Sequence, residues 1–160
     1  MKRSEVPQQG LLKGVRVAVS AISVAGPFAA EILADMGADV IQIENPKNPD
    51  YSHGSINPGW MGESHRRNMR DITLDVTKPK GREAFMRLLA ETDIFIESSK
   101  GGQWYNWGLG DEVLWEANPR LVIAHISGYG QTGLESYVSR ASYDPIAQAF
   151  SGLVYSNGTD

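Results

Sequence analysis

Residues 98–102, SSKGG, are the first group of side chains in this sequence whose types and spacing favour chemistry. They carry two hydroxyls, one ammonium and two glycines, and they directly follow the short apolar run IFIE at residues 94–97. Such a run predicts a buried strand, and at the end of a buried strand backbone amides and a cation can hold an anionic group. Ser98, Ser99 and Lys100 are therefore a candidate anion site, with an ordinary turn as the competing interpretation.

A second segment of small residues, 21–26, follows another predicted strand. Residues 15–20 are mainly apolar, rich in β-branched side chains and too short for a helix, so they predict a buried strand. A helix is predicted from Pro27, whose missing N–H suits the first helical position, to about Met36, and Gly37 ends it. Its predicted core-facing side chains are Phe28, Ile32, Leu33 and Met36.

A second apolar strand, residues 40–44, completes a strand–helix–strand unit. The two strands of such a unit must be parallel, and the crossover between them is expected to be right-handed. Ligands of parallel sheets bind beyond the carboxyl ends of the strands, so residues 21–26 are the segment expected to face a ligand.

The remainder of the chain alternates between strand and helix patterns. Alternating Ile72, Leu74 and Val76 predict a half-buried strand within a hairpin-like insert that follows a long loop, residues 45–65. The later predicted elements are helix 78–91, strand 94–97, helix 110–117, strand 121–127 and helix 144–150. This pattern predicts an α/β fold with an open, mainly parallel Rossmann-like sheet and helices on both faces. We expect a single domain over residues 1–160, of which residues 1–10 are flexible.

Several polar and aromatic residues outside these segments have more than one interpretation. His125 interrupts an apolar run and is more typical of a hydrogen-bonded core histidine than of a catalyst. A basic cluster is equally consistent with a solvated approach to a strand and with binding of a phosphate or carboxylate. Its members are His65, Arg66, Arg67 and Arg70. Three aromatic residues after the anion site are interpreted as packing residues, with stacking on an adenine as the alternative: Trp104, Tyr105 and Trp107.

Composition argues against several classes of function. The chain has a net charge of −4 and a pI near 5.4, which disfavours nucleic acid as a partner because phosphate backbones are bound by clustered basic residues. It has no cysteine, and His53 and His65 are not at ligand spacing, so we expect neither disulfides nor a metal site. We recognise neither a secretion signal nor a membrane-spanning run, and therefore expect a cytoplasmic protein without a membrane partner.

Four blocks of the sequence, in this order, resemble the amino-terminal part of class III CoA-transferases. They read LLKGVRVAVSAISVAGPFAAEILADMGADVIQIENP, RRNMRDITLDVTKPKGREAFMRLLAETDIFIESSKG, GLGDEVLWEANPRLVIAHISGYGQTG and SYDPIAQAFSG. The resemblance covers nearly the whole chain after Gly10, apart from the loop around residues 50–63. It implies that this chain is an incomplete large domain of the family fold. It also implies coenzyme A (CoA) as substrate and acyl carrier, without a metal.

The resemblance implies roles for individual residues as well. In the family, the loop after the first strand cradles CoA through backbone groups, which here fall on Val24 and Ala25. The segment after the strand at residues 94–97 contacts the nucleotide, which here implies the candidate anion site: Ser98, Ser99 and Lys100.

Two further implied contacts lie elsewhere in the chain. Leu74 matches a residue that lines the adenine pocket of the family. Family members carry an arginine just before the glycine that is Gly108 here, where this chain reads NWG. One phosphate contact is therefore either missing or supplied from elsewhere, with Arg140 and Arg66 as the candidates.

The catalytic step is implied to lie outside this sequence. The family nucleophile is an aspartate that matches a position beyond Asp160, so no catalytic residue is assigned here. In the complete enzyme that aspartate forms covalent intermediates while CoA moves between an acyl-CoA and a free carboxylic acid. The blocks are most similar to the carnitine branch, which implies carnitine, crotonobetaine or a related betaine as the acid, and a homodimer of interlocked chains. The alternatives are a non-catalytic CoA-binding or assembly fragment and an acyl-CoA racemase.

Overall fold

The computed structural model describes residues 9–51 and 64–158, and within them it contains one parallel sheet. Its strands are β1 Arg16–Ser20, β2 Asp39–Glu44, β3 Met69–Thr73, β4 Ile94–Glu97 and β5 Val122–His125. The strands are ordered β3-β2-β1-β4-β5, and each neighbouring pair is parallel. The prediction of an open parallel α/β sheet is confirmed. The expected flexible segment 1–10 and much of the expected loop 45–65 lie outside the described residues.

Helices cover both faces of the sheet, as the sequence predicts. The described helices are α1 Ala25–Asp35, α2 Pro79–Leu89, α3 Gln103–Asn106, α4 Asp111–Ala117, α5 Glu135–Val138, α6 Asp144–Phe150 and α7 Leu153–Ser156. On one face, α1 packs against Val17 and Val19 of β1. On the other face, α2, α3 and α4 pack against Ala18 of β1. The alternation of side chains along β1 therefore separates two buried clusters.

Aromatic rings form the centre of the cluster beneath α2. Phe85, Phe95 and Trp104 are almost completely buried, with ring centroids 5.0–5.4 Å apart. Trp107 packs edge-on against Trp104 at 5.3 Å. Each fully buried large apolar side chain contributes about 1.5–3 kcal/mol to folding. These contacts confirm the interpretation of Trp104 and Trp107 as packing residues.

The orientation of α1 differs from the sequence prediction. Three of the four side chains expected to face the core are largely exposed: Phe28 (47%), Ile32 (46%) and Met36 (40%). The sheet is contacted instead by Ala30 and Ala34, while Leu33 is partly buried against the same cluster. The prediction was wrong because small side chains let a helix approach a sheet closely, and counting apolar residues favours the bulkier face.

The third strand is an exposed edge strand rather than part of a hairpin-like insert. β3 pairs with β2 in parallel, from Val40 opposite Met69 to Glu44 opposite Thr73. Ile72 is 38% exposed, so the predicted half-buried strand is wrong as well. Leu74 and Val76 follow the strand and pack toward the cluster beneath α2. The hairpin prediction failed because residues 45–68 are long enough for the crossover that parallel strands need.

The last three helices contribute no side chain to either buried cluster. The predicted helix 144–150 is confirmed as α6, and α7 follows it directly. Both expose large apolar side chains: Ile146, Phe150, Leu153, Val154 and Tyr155. Within the described part of the chain, none of the helices has both the length and the apolar character needed to cross a membrane.

Candidate functional site

The two segments singled out in the sequence meet at the carboxyl ends of β1 and β4. The strand order reverses there, because β1 is flanked by β2 on one side and by β4 on the other. Ligands of open α/β sheets bind in the crevice at such a reversal. The Ile22 amide donates to the Ser98 hydroxyl over 3.2 Å, and a Cβ on Gly26 would lie 3.5 Å from that of Ser98. Residues 21–26 and 98–102 thus form one continuous surface, the two-loop rim.

The first loop of the rim is held from the α1 side of the sheet by buried polar side chains. Gln42 of β2 donates from Nε2 to the Ala21 carbonyl over 2.7 Å. The Oδ2 atom of Asp50 accepts the Ser23 amide at 2.7 Å and also binds Arg66. Ser23 has φ +66°, a left-handed conformation that costs free energy in a residue other than glycine. The bond to Asp50 stabilises this strained turn, and with it the entrance to α1.

The backbone amides at the start of α1 belong to the first loop of the rim. The first bond along the helix runs from the Phe28 amide to the Val24 carbonyl over 2.8 Å, so the amides of Val24, Ala25 and Gly26 precede helical hydrogen bonding. The first turn of α1 carries no acidic side chain. These amides and the positive end of the helix dipole favour a bound anion.

The second loop is held from the opposite face by Glu97, the last residue of β4. Its side chain is 1% exposed. Oε2 accepts the Ser99 amide at 2.6 Å and the Trp104 indole N–H at 2.8 Å, while Oε1 lies 2.7 Å from Nδ1 of His125. Two N–H donors and the His125 ring thus contact one carboxylate, and that carboxylate restrains the backbone between β4 and Lys100.

His125, the last residue of β5, lies between two carboxylates. It is opposite Glu97 in the sheet register, and its Nε2 atom is 3.1 Å from Oδ1 of Asp111 at the start of α4. Burial lowers the pKa of the imidazole, but the hydrogen bond to Glu97 and the charge of Asp111 raise it further, so the pKa of His125 lies above its usual value. The contacts confirm the prediction of a hydrogen-bonded core histidine.

Five of the predicted site residues lie on the two-loop rim: Val24, Ala25, Ser98, Ser99 and Lys100. The Ser98 hydroxyl accepts the Ile22 amide, and the Ser99 hydroxyl accepts the Trp104 indole N–H at 3.2 Å, so both serines shape the rim itself. Lys100 is exposed, and none of the carboxylates in the described ranges forms an ion pair with it. Binding of a ligand by these five residues stays a prediction.

The two remaining predicted contact residues, Arg140 and Leu74, lie outside residues 21–26 and 98–102. Val138 of α5 packs so closely against Gly101 that a Cβ there would be 2.3 Å from Val138 Cγ1. Two residues later, the exposed Arg140 guanidinium lies over the Tyr137 ring at 4.6 Å. Leu74 follows the edge strand β3, which β2 separates from β1, and packs toward the cluster beneath α2. Contacts of Arg140 and Leu74 with a ligand stay predictions.

Arg66 is paired with carboxylates of this chain, and a phosphate contact by Arg66 stays a prediction. Its side chain is 8% exposed and pairs with Glu44 at 2.6 Å and with Asp50. The rest of the basic cluster likewise pairs within the chain: His65 with Glu31, Arg67 with Glu31 and Asp35, and Arg70 with Asp39. The cluster binds carboxylates of its own chain and thereby ties the approach to β3 to α1 and β2.

Sequence reasoning missed four polar residues that shape the rim or its surroundings: Gln42, Asp50, Arg82 and Glu97. Arg82 of α2 donates from Nη2 to the Gly108 carbonyl over 2.5 Å, so an arginine does reach the turn where family members carry one. Gln42 and Glu97 had a detectable signal, since each is polar within a strand that is otherwise buried, and buried polar groups need partners. Asp50 had none, because it meets Ser23 only in the folded chain.

Two other features of the described residues carry no site. Residues 9–51 and 64–158 contain no group of three or more His, Asp and Glu side chains arranged to hold a metal ion. A hollow of about 350 Å³ opens near the amino end of β1, next to Arg16, Arg87 and Glu91. The buried Arg16 is already paired there with Asp39 at 2.8 Å and with Glu91 at 3.2 Å.

Comparison with known proteins gives consistent matches. The chain matches the model of CoA-transferase family III over residues 12–160. It is 50% identical over 153 residues to the bile acid CoA-transferase BaiK of Clostridium scindens, covering 96% of this chain and 34% of that protein. The crystal structure of the hypothetical protein Rv3272 from Mycobacterium tuberculosis has a TM-score of 0.85 at 28% identity, covering 96% of this chain and 43% of that one. A CAIB/BAIF family protein from Brucella suis has a TM-score of 0.79 at 36% identity, with 92% and 40% covered.

The fold and the rim define an open, parallel α/β protein whose two candidate loops meet where the strand order reverses. The chain belongs to CoA-transferase family III, because the family model matches nearly all of it. It spans 34% of the length of the curated relative and 43% and 40% of the two solved structures.

Proposed function

We propose that the protein carrying this chain moves CoA between an acyl-CoA thioester and a free carboxylic acid, and that the two-loop rim holds the nucleotide end of CoA. The observation that carries the proposal is the meeting of residues 21–26 and 98–102 at the strand-order reversal of a family III chain. Phosphate groups are well matched to a rim built from helix N-terminal amides and an exposed ammonium.

The assignment of contacts follows the chemistry of the rim. The amides of Val24 and Ala25 receive a phosphate oxygen, as the start of a helix does in other nucleotide sites. Ser98, Ser99 and the Lys100 ammonium contact the nucleotide from the other loop. Arg140 supplies a second cation beside them. CoA acts as substrate and acyl carrier, and the proposed chemistry uses no metal.

The acyl exchange is assigned to an aspartate beyond residue 160. Its carboxylate attacks the acyl-CoA carbonyl, giving a mixed anhydride and releasing the CoA thiolate. The thiolate then attacks the aspartyl carbonyl, releasing the donor acid and leaving an enzyme-bound CoA thioester. The acceptor carboxylate repeats the two steps in reverse, so that the aspartate is regenerated. The rim contributes by keeping the nucleotide bound while the thiolate leaves and returns.

Two kinds of acid are candidates for the acceptor. The wording of the sequence blocks favours carnitine, crotonobetaine or a related betaine. A bile acid is the second candidate, because BaiK, a bile acid CoA-transferase by name, is 50% identical to this chain. The two acids are separable in one assay, since a betaine is small and cationic whereas a bile acid is large and apolar. Transfer to one acid at a rate at least about tenfold above the other would assign the class.

The proposal includes a homodimer of the complete protein and a cytoplasmic location. A cytoplasmic location suits a chain without cysteine.

A non-catalytic CoA-binding fragment is the first alternative, and acyl transfer by the purified 160-residue chain would exclude it. An acyl-CoA racemase is the second, and it is separated by its product, since a racemase inverts the α-carbon without exchanging CoA.

The test is calorimetric titration of the protein carrying this chain with CoA, before and after Lys100→Ala. We expect binding in the unaltered protein and about tenfold weaker binding in the variant, because one charge-assisted contact is lost. Lys13→Ala is the matched control, since Lys13 is also an exposed lysine but precedes β1 at the opposite edge of the sheet. Absence of CoA binding, or equal loss in both variants, would refute the proposal.

A further inference from the structure

A line of three ionisable side chains lies beneath the second loop of the rim, and the proposed function does not use it. The line runs from Glu97 through His125 to Asp111, with contacts of 2.7 Å and 3.1 Å at the two ring nitrogens. It draws one residue each from β4, β5 and α4. The line is connected to the surface that CoA is proposed to contact through one hydrogen bond, from the Ser99 amide to Glu97.

The protonated ring suits this position better than the neutral ring. Both ring nitrogens of His125 face carboxylate oxygens, which accept hydrogen bonds and do not donate them. An imidazolium donates to both. A neutral imidazole would turn one nitrogen lone pair toward a carboxylate oxygen, and Glu97 would keep its buried charge without a cation beside it.

The state of Glu97 determines the path of the second loop. The Ser99 amide, bound to Oε2 at 2.6 Å, is one peptide away from Lys100. Trp104 binds the same oxygen at 2.8 Å, so the carboxylate also joins α3 to the loop. A shift of the carboxylate therefore moves the amide and the lysine together.

We propose that His125 and Glu97 are positioning residues for CoA: the imidazolium of His125 fixes Glu97, and Glu97 fixes the Ser99 amide and thereby the place where Lys100 meets the nucleotide. The inference depends on the proposed function, because it names CoA as the ligand. Neither residue touches CoA in this account, and both act through the loop.

A pH response of CoA binding follows from this arrangement. The charged groups facing His125 are Glu97 from β4 and Asp111 from α4. Next to Asp111 in the sequence, Glu112 accepts a hydrogen bond from the Tyr105 hydroxyl of α3 over 3.4 Å. The two facing carboxylates outweigh burial and raise the pKa of His125. CoA affinity should therefore hold below that pKa and weaken as the pH rises through it.

The experiment measures the CoA dissociation constant of the complete protein by calorimetry from about pH 6 to about pH 9. His125→Asn keeps an N–H group near Nδ1 for Glu97 but cannot titrate. His125→Leu removes the donor. We expect the CoA affinity of the unaltered protein to fall with rising pH relative to the affinity of His125→Asn at the same pH. We expect it to be weakened about tenfold at the lowest pH in His125→Leu. The phosphate groups of CoA also titrate, at about pH 6. This change in the ligand affects all variants equally, so it cancels when variants are compared at the same pH.

His65→Asn is the matched control, since His65 pairs with Glu31 on the other face of the sheet. It should keep the pH response of the unaltered protein. If His125→Asn shows the same pH response as the unaltered protein, the inference is overturned. CoA binding by both proteins would still support the proposed function. If no variant or unaltered protein binds CoA, the proposed function fails instead. If His125→Leu does not fold, the comparison of His125→Asn with the unaltered protein decides the matter.

Discussion

Replacement of Gly26 by alanine tests the close approach on which the two-loop rim depends. An added methyl group would lie 2.3 Å from the Ala21 Cβ and 3.5 Å from the Ser98 Cβ. Ordinary carbon contacts are about 3.5–4.0 Å, so the clash with Ala21 exceeds about 1 Å. Both atoms are Cβ atoms anchored directly to the backbone, and neither can rotate away. The loop itself must therefore move.

The cost of overpacking and the gain in helix propensity together determine whether Gly26→Ala destabilises the protein. Overpacking of this kind costs about 1–3 kcal/mol. Alanine gains up to about 1 kcal/mol over glycine in a helix interior, and less in the first turn where Gly26 lies. We therefore expect a net loss of about 1–2 kcal/mol, which lowers Tm by about 2–8 °C for a chain of this size. CoA affinity should fall as well, because the displaced loop carries the Val24 and Ala25 amides.

The assay is thermal unfolding and CoA calorimetry on Gly26→Ala, Ala21→Gly and the double variant. Removing the opposing methyl group should restore most of the lost stability, and the interaction free energy of this cycle measures the clash. Gly158→Ala is the control, since its added Cβ would lie at 3.4 Å or more from its neighbours. A stable Gly26→Ala with unchanged CoA affinity, or a double variant no better than Gly26→Ala, would refute the close-approach argument.

Two further predictions concern acid stability and association. Hydrogen bonds, first from Arg67 and then from Asn68, lower the pKa of Asp35, so its stabilisation is present above the unfolded value of about 3.9 and is lost as the pH falls through the folded value. The free energy of unfolding, measured with urea, should therefore decrease less between about pH 5 and about pH 3 in Asp35→Asn than in the unaltered chain. Equal decreases would contradict the prediction. The purified 160-residue chain should self-associate in sedimentation experiments, because apolar side chains of α6 and α7 are exposed and β3 and β5 form the edges of the described sheet. A monomer that melts in one sharp transition would contradict it.

Local signals in the sequence predicted most of the elements correctly. Gly37 follows α1 and marks its end as predicted, whereas α1 begins at Ala25, two residues before the predicted start at Pro27. The short apolar runs at β1, β2 and β4 predicted strands because they are buried on both faces, as parallel sheets require. The rim followed from the same reasoning, since the ends of parallel strands share one edge. The side of a helix that becomes buried depends on packing against residues distant in the sequence, which local patterns do not reveal. The exposed face of α1 was mispredicted for this reason.

The supports beneath the rim could not be predicted because they depend on register. His125 meets Glu97 only because β4 and β5 pair residue for residue from Ile94 opposite Val122. A shift of one residue would direct His125 to the other face of the sheet. Arg66 and Asp50 likewise meet across the fold, so a basic cluster in the sequence gave no indication of its partners. Polar residues inside apolar strands were the available signal, and they indicate buried networks without identifying the second member.

The hydrogen bond between the Ile22 amide and the Ser98 hydroxyl has a mechanical consequence. It joins two segments that lie far apart in the sequence, so each restrains the position of the other. Their loss of conformational freedom therefore occurs when the chain folds and not when a cofactor arrives. A receptor preorganised in this way should bind its ligand with little rearrangement, and the Ser98 hydroxyl is one of the groups that hold it in place.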